Sequence, residues 1–350
     1  TAAAHGAVIA NNATARGLGK TGNRISSIKV EDTLDHRSFD LRAKVLVNAT
    51  GVWADEVSQQ SDATAPKKLR PSKGIHIVIP AERFHNQTAV LIPSLGERRF
   101  LFVIPWHGRT VIGTTDTDYE GDLDDPSASA DEVNRVVRSA KSAFPAANLS
   151  GEDVISSFAG LRPLIKADQQ STKELSRKEE IFEDESGLIT ITGGKLTTWR
   201  RMAERVVDVA VGVLARADGT RRTGTDHSVT ERIKLAGGTA EGATRKKIDQ
   251  EATTFGVAVA TVEHLMDTYG GNYRVLLDLT RESEELKEVL EDGLPHIGAE
   301  VVYAARFEMA TTSEDFLARR TRIALLSRDN GRACVTRVTS LMARELGRQD

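Results

Sequence analysis

Cysteine is nearly absent from this chain: Cys334 is the only one in 350 residues. One thiol forms no internal disulfide and no cysteine-based metal site, and it fits a reducing cytoplasm. A basic excess is also missing. Lys and Arg number 47 against 50 Asp and Glu, a formal net charge of -3, which argues against a nucleic-acid partner. Long apolar runs are lacking too. The longest uncharged apolar stretch in a helical context, Val209 to Ala215, falls far short of the roughly 20 residues of a membrane span. Nothing at the N-terminus reads as a signal peptide, and the chain opens at Thr1 without an initiating methionine. That opening reads as processing, an internal fragment, or numbering that starts inside a longer protein. No internal repeat or low-complexity tract is present. What remains is ordinary globular composition, 28% charged and 39% hydrophobic, in a chain long enough for two or three domains.

Strand signals dominate the first two hundred residues. Ala7-Val8-Ile9, Ile25 to Val30 and Phe39 to Ala43 suggest a small antiparallel meander. Lys44-Val45-Leu46-Val47 then runs apolar into Asn48, as a buried parallel strand does. Further strands are expected at Ile75 to Ile79, Ala89 to Ile92, Phe100 to Ile104, Thr110 to Ile112 and Leu188 to Ile191. Ser129-Ala130-Asp131-Glu132 is a capping box ahead of Val133, Val136, Val137 and Ala140 at helical spacing. A second helix is expected after Thr198. Beyond about residue 225 the strand signals vanish, and Val259 to Tyr269, Glu284 to Leu290, Val301 to Met309 and Cys334 to Leu346 read as helices. The expected division is 1–65 and 193–224 in one α/β domain, 66–192 in a β-rich domain, and 225–350 in an all-α domain.

Two glycine turns stand out. Val47-Asn48-Ala49-Thr50-Gly51 and Gly193-Gly194-Lys195-Leu196-Thr197-Thr198 each follow an apolar strand and precede a helix. Small residues at the C-terminal end of a strand let the backbone approach a nucleotide. The free N–H groups of a following helix favour negative charge. An ordinary loop exit and a threonine-capped helix are the plainer readings. Gly17-Leu18-Gly19-Lys20-Thr21-Gly22 matches the dinucleotide fingerprint by letter, but the strand-like run 24–30 follows it rather than a helix. It therefore reads as a hairpin turn. Phe158-Ala159-Gly160-Leu161-Arg162-Pro163 sets one arginine on an otherwise apolar strand, suited to a phosphate, a carboxylate or a structural ion pair. His76, among apolar neighbours, is as readily a satisfied core histidine as a base. His107 reads as a hairpin tip. The arginines 319, 320, 322, 328, 332, 337 and 344 follow an acidic stretch, 282–292. These read as two faces packed on each other, or as a membrane or partner patch. No metal-ligand set is assigned.

Taken together, residues 48–55, Arg70 to His76, Ile104-Pro105-Trp106, Gly113-Thr114-Thr115-Asp116, Gly160 to Pro163 and Gly193 to Trp199 resemble the FAD-dependent glycerol-3-phosphate dehydrogenases. The resemblance extends through Glu300 to Ala304 and Leu317 to Arg322 in the helical tail. Shorter parts are similar to D-amino-acid-oxidase-like flavoenzymes of the same fold. The chain resembles the C-terminal three-fifths of such an enzyme, without the opening strand, glycine loop and helix that hold the FAD pyrophosphate. By itself it is expected to be inactive. The fold implied is an incomplete Rossmann-like FAD domain, a mixed or antiparallel β substrate domain and a C-terminal all-α domain. The activity implied is oxidation of glycerol 3-phosphate to dihydroxyacetone phosphate: a base takes the C2 hydroxyl proton, hydride passes to flavin N5, and electrons go on to a quinone. Arg162 would clamp the phosphate, His76, Thr115 and Asp116 would lie at the catalytic end, and Ala49, Thr50, Gly51, Gly194, Lys195, Leu196 and Thr197 would line the FAD, with Ala13 on its adenine side. A cytoplasmic protein, peripheral on the inner face of the cell membrane and a homodimer, completes the expectation. The competing readings are an amine or amino-acid oxidase with Arg162 on a carboxylate, and a non-catalytic module that docks a partner through 225–350.

Overall fold

The computed structural model describes residues 1–96, 99–166, 179–217, 219, 228–238 and 244–348. Three sheets and a helical region make up the described chain. The first sheet is a meander of β1 (Ala13–Thr21), β2 (Arg24–Asp32) and β3 (Ser38–Arg42). Gly17 and Gly19 lie inside β1, each beside a register irregularity with β2, and only Gly22 and Asn23 form the turn. The fingerprint is therefore not a phosphate loop. The strand expected at Ala7 to Ile9 is absent, and the segment runs irregular with Val8 97% exposed. Three apolar residues without a partner strand to hydrogen-bond do not make one.

A second sheet carries β4 (Val47–Asn48), after which comes α1 (Ala54–Ser61). β4 pairs in parallel with β12 (Ile189–Thr192), and β12 pairs antiparallel with β11 (Glu180–Glu183). β12 is buried at every position, and α3 (Trp199–Ala217) packs Val206 and Val213 against it.

The largest sheet runs β10 (Ser156–Ile165), β5 (Leu69–Pro80), β8 (Arg109–Gly113), β7 (Phe100–Trp106), β6 (Val90–Pro93), with the short β9 (Thr117–Asp118) also on β5. Alternation along β5 separates two faces. Ile75, Ile77 and Ile79 pack with Leu101, Val103 and Ile112 under α2 (Ala130–Ala143), which contributes Val136, Val137 and Ala140. The Ser129–Glu132 capping box forms as the sequence predicts. Ser72, Gly74, His76 and Val78 take the opposite face.

The C-terminal region contains α4 (Arg245–Phe255), α5 (Val259–Tyr269), α6 (Tyr273–Leu279), α7 (Gly298–Phe307), α8 (Ile323–Leu326) and α9 (Val335–Glu345) around one apolar core. The helix expected over 284–290 is only a single 3-10 turn at Glu284–Leu286. Gly293 and Pro295 fold the chain back, so that Val289 bridges Ile297. This region grips the large sheet: Arg109 donates to the Leu326 carbonyl (3.2 Å), Ser156 to the Leu325 carbonyl (2.6 Å) and Arg328 to the Glu152 carbonyl (3.1 Å). Arg319 pairs with Glu314, Arg337 with Glu288 and Arg344 with Glu285. These pairs make an intramolecular charged face of much of the arginine series. No described helix is long and apolar enough to cross a membrane.

Candidate active site

Register builds the site. Strands β5 and β10 set His76 opposite Phe158, Gly74 opposite Gly160, and Ser72 opposite Arg162. Directly paired residues share a face, so a glycine row lies between a histidine row and an arginine row. The His76 ring stacks on Phe158 at 4.8 Å and 11°. On its other side His76 pairs with Gly113, where a Cβ would overlap the imidazole. That glycine is required for the ring to lie flat on the sheet. The Arg162 guanidinium folds back over Gly74, whose missing Cβ makes the room. A close approach of this kind is what glycine permits.

Arg162 is held firmly. Its Nη2 donates to Thr114 Oγ1 (2.9 Å) and to the Thr115 carbonyl (3.2 Å), and its Nη1 lies 3.7 Å from Asp116 Oδ1. Asp116, its side chain 4% exposed, also accepts hydrogen bonds from Ser72 and Arg99. Burial alone would raise the Asp116 carboxyl, but the bonds from Ser72 and Arg99 and the charges of both arginines outweigh it and hold the pKa below the usual range. Among the described residues, one carboxylate therefore faces two guanidiniums. Arg99 went unread in the sequence because its partner lies 17 residues away across an intervening hairpin. Thr115 turns inward, its Oγ1 accepting from the Ile75 N–H at 3.0 Å. His76 is neutral: burial first, then the Arg162 charge, lowers its pKa to about 4. A neutral imidazole at pH 7 has a lone pair for a proton.

The two glycine turns meet. Because β4 and β12 are parallel neighbours, Ala49-Thr50-Gly51 and Gly193-Gly194 leave the same end of one sheet. Gly51, Gly193 and Gly194 have φ of 64°, 76° and 76°, a region that favours glycine. Buried Asn48 fixes the first turn, accepting from Thr50 Oγ1 (2.7 Å) while its amide donates to the Ala54 carbonyl (2.9 Å). Lys195, Leu196 and Thr197 lie exposed at the mouth of α3, Leu196 at 88%, with Trp199 and Trp53 also exposed. Gly51, Val52 and Trp53 share a recess of about 370 Å³ with Leu161 and Pro163, which flank Arg162. The first turn and β10 thus share this recess, on the face of β10 opposite the Arg162 side chain. Ala13 opens β1 opposite Asp32 in the separate meander rather than at either turn.

Paired strand-end turns, positive-φ glycines and an apolar ledge suit a flat, phosphate-bearing cofactor. Residues 1–208 match the family described as FAD dependent oxidoreductases. The chain belongs to that family. Residues 228–350 match the family described as the C-terminal domain of alpha-glycerophosphate oxidase. Over 347 residues the chain is 32% identical to a glycerol-3-phosphate dehydrogenase of Mycobacterium leprae, covering 99% of this chain and 58% of that protein. To the aerobic glycerol-3-phosphate dehydrogenase of Staphylococcus saprophyticus it is 34% identical, covering 86% and 54%. The chain thus spans less than two thirds of the length of these relatives. The glycerol-3-phosphate dehydrogenase of Bacillus halodurans, solved as a complex with FAD, superposes over all of this chain and 67% of its own, with a TM-score of 0.83 and 32% identity. The resemblance read from the motifs holds along the whole chain, as does the α/β-plus-α fold class.

Proposed function

We propose that this chain carries the substrate site of an FAD-dependent dehydrogenase acting on sn-glycerol 3-phosphate. One observation supports the reading above all: neutral His76 and Arg162 flank the Gly74–Gly160 row on one face of the sheet, with the Arg162 guanidinium over Gly74 and Gly160 left open. FAD, when bound, supplies the two-electron oxidising capacity. The Ala49–Gly51 turn, Gly194, Lys195, Leu196 and Thr197 would hold it, with Ala13 on the adenine side. Arg162 presents a planar fork for the phosphate. Asp116 and Thr114 fix that fork, and Thr115 ties the segment to β5. His76, in its neutral form, would accept the proton of the C2 hydroxyl, while the C2 hydrogen with its electron pair would be taken up by the FAD oxidant, so that C2 becomes the ketone of dihydroxyacetone phosphate. The electrons are proposed to pass to a quinone. A quinone acceptor would place the protein in the cytoplasm against the inner face of the cell membrane, with a homodimer as its proposed assembly.

The flavin-loaded protein should reduce a dye with glycerol 3-phosphate and neither with glycerol nor with D-amino acids. Arg162→Lys should raise KM for glycerol 3-phosphate by more than about tenfold, because an ammonium offers no bidentate fork. Equal turnover with a D-amino acid, or an unchanged KM, would overturn the assignment.

A further inference from the structure

The helical region contains a second polar centre that the dehydrogenase reading does not use. Glu300, in the first turn of α7, has a side chain that is 0% exposed. It accepts from His264 Nε2 (2.9 Å), from the Tyr269 hydroxyl (3.0 Å) and from the Ile297 N–H (2.8 Å). His296 lies beside it, 2% exposed, its ring edge-on to His264 at 4.4 Å. The Nδ1 of His296 is buried and has no hydrogen-bond partner. With no partner on it, Nδ1 presents its lone pair when the ring proton sits on Nε2. An orphaned buried acceptor carries an uncompensated desolvation cost unless something binds it. His264 and His296 also line a cavity of about 450 Å³, together with Asp267, Thr268 and, across from them, His107 of the β7–β8 hairpin.

We infer that His264, His296 and Glu300 form a binding site for a first-row divalent metal ion of the zinc class. Two imidazoles and one carboxylate are a donor set that zinc takes with a fourth position left open, and here that position faces the cavity. The three donor atoms lie within 4.8 Å of one another. Bonds of roughly 2.0–2.1 Å to one tetrahedral centre put donors about 3.4 Å apart, so side-chain rotation of around an ångström closes the set. Binding replaces the His264–Glu300 hydrogen bond: Nε2 gives up its proton, the neutral ring carries its one proton on Nδ1 beside Thr268 Oγ1, and both former partners turn to the metal. Tyr269 and the Ile297 N–H stay on the carboxylate as outer-shell supports. Because α5, α7 and the segment that doubles back at Gly293 each supply one ligand, the ion would staple the helical region where it meets the substrate sheet.

The test is metal titration of the full-length protein, purified without an affinity tag. The wild type should take up one Co²⁺ per chain with the visible absorption of a four- or five-coordinate ion, and Zn²⁺ should displace it and raise Tm. His296→Gln should weaken Co²⁺ by more than roughly a hundredfold, beyond the loss typical of an outer-shell contact. His36→Gln, at an exposed histidine, should leave binding unchanged. Binding that survives His296→Gln, or that His36→Gln abolishes, would overturn the site. Should His296→Gln fail to fold, His264→Gln takes its place, and the wild-type protein alone still decides: no uptake at one equivalent, or only a six-coordinate spectrum, refutes the proposal.

Discussion

The arginine cluster of the sheet and the histidine cluster of the helices bury charge in opposite ways. In the sheet, among the described residues, Asp116 meets the guanidiniums of Arg99 and Arg162, and the Arg162 side chain remains 27% exposed. That partly exposed fork is suited to receiving an anion. In the helices, Glu300 is sealed and accepts hydrogen bonds from the His264 ring, a phenol and a backbone N–H. Its carboxylate is closed to solvent on its own side. A buried ion pair contributes little net stability, while breaking one is costly. The open cluster is therefore explained by what it binds, and the closed one by what it holds together.

The strongest way to break the comparison is Asp116→Ala. It leaves Arg99 and Arg162 facing each other without their shared anion, at a cost of about 3–5 kcal/mol. Chemical denaturation should register that loss, and KM for glycerol 3-phosphate should rise because the Arg162 fork is no longer fixed. A variant as stable as the wild type would show that the two arginines are neutralised elsewhere.

Acidification should act next on the sheet site. The folded pKa of His76 is about 4 against an unfolded value of about 6.5. Between those values the unfolded chain binds more protons. Stability from the neutral ring is therefore complete above pH 6.5 and is lost as pH falls toward 4. At about 1.36 kcal/mol per unit, the fall from pH 6.5 to 5 removes about 2 kcal/mol. Wild type should lose that much more stability than His76→Gln between pH 7 and pH 5; equal losses would mean that His76 titrates normally.

Tyr269→Phe sharpens the comparison from the helical side. It removes one donor from Glu300, at about 1–2 kcal/mol, and should lower Tm while leaving KM unchanged. Arg162→Lys should do the reverse. A KM change in Tyr269→Phe would show that the helical centre reaches the substrate.

The two clusters also differ in how far they were legible in the sequence. Strands with period-two alternation were read closely, so His76 and Arg162 could be placed on apolar strands from their neighbours. The pairing that sets Gly74 against Gly160 is a tertiary register and leaves no local pattern, and Arg99 stayed hidden for the same reason. α5 was read at its true bounds, because Val262, Leu265 and Met266 repeat at helical spacing. The ligand-bearing character of His264 was not, since a histidine on an apolar face is ordinarily core. His296 and Glu300 share a four-residue spacing, but the turn at Gly293 and Pro295 that buries His296 lies beyond the helix expected over 284–290 and carries no signal of its own. β4 kept only two residues of the expected strand because only Val47 and Asn48 meet β12.

The smallest expected effect concerns the arginine series. Arg344 pairs with Glu285 at 2.6 Å, but the side chains are 61% and 35% exposed. Pairs of this kind contribute about 0–1 kcal/mol, because solvent screens the attraction and two long side chains lose entropy. Arg344→Ala should therefore change stability by less than about 0.5 kcal/mol. Its partners also decide what this face does toward a membrane. An arginine whose charge is met by Glu285, Glu288 or Glu314 on its own chain adds little to the field that an anionic lipid feels. Liposome binding by the wild type should accordingly be no stronger than that of Arg344→Ala, at low or physiological salt. A steep salt-dependent loss of binding in Arg344→Ala would assign the face to a membrane surface instead, and would separate this helical charge cluster from the two buried centres by function as well as by exposure.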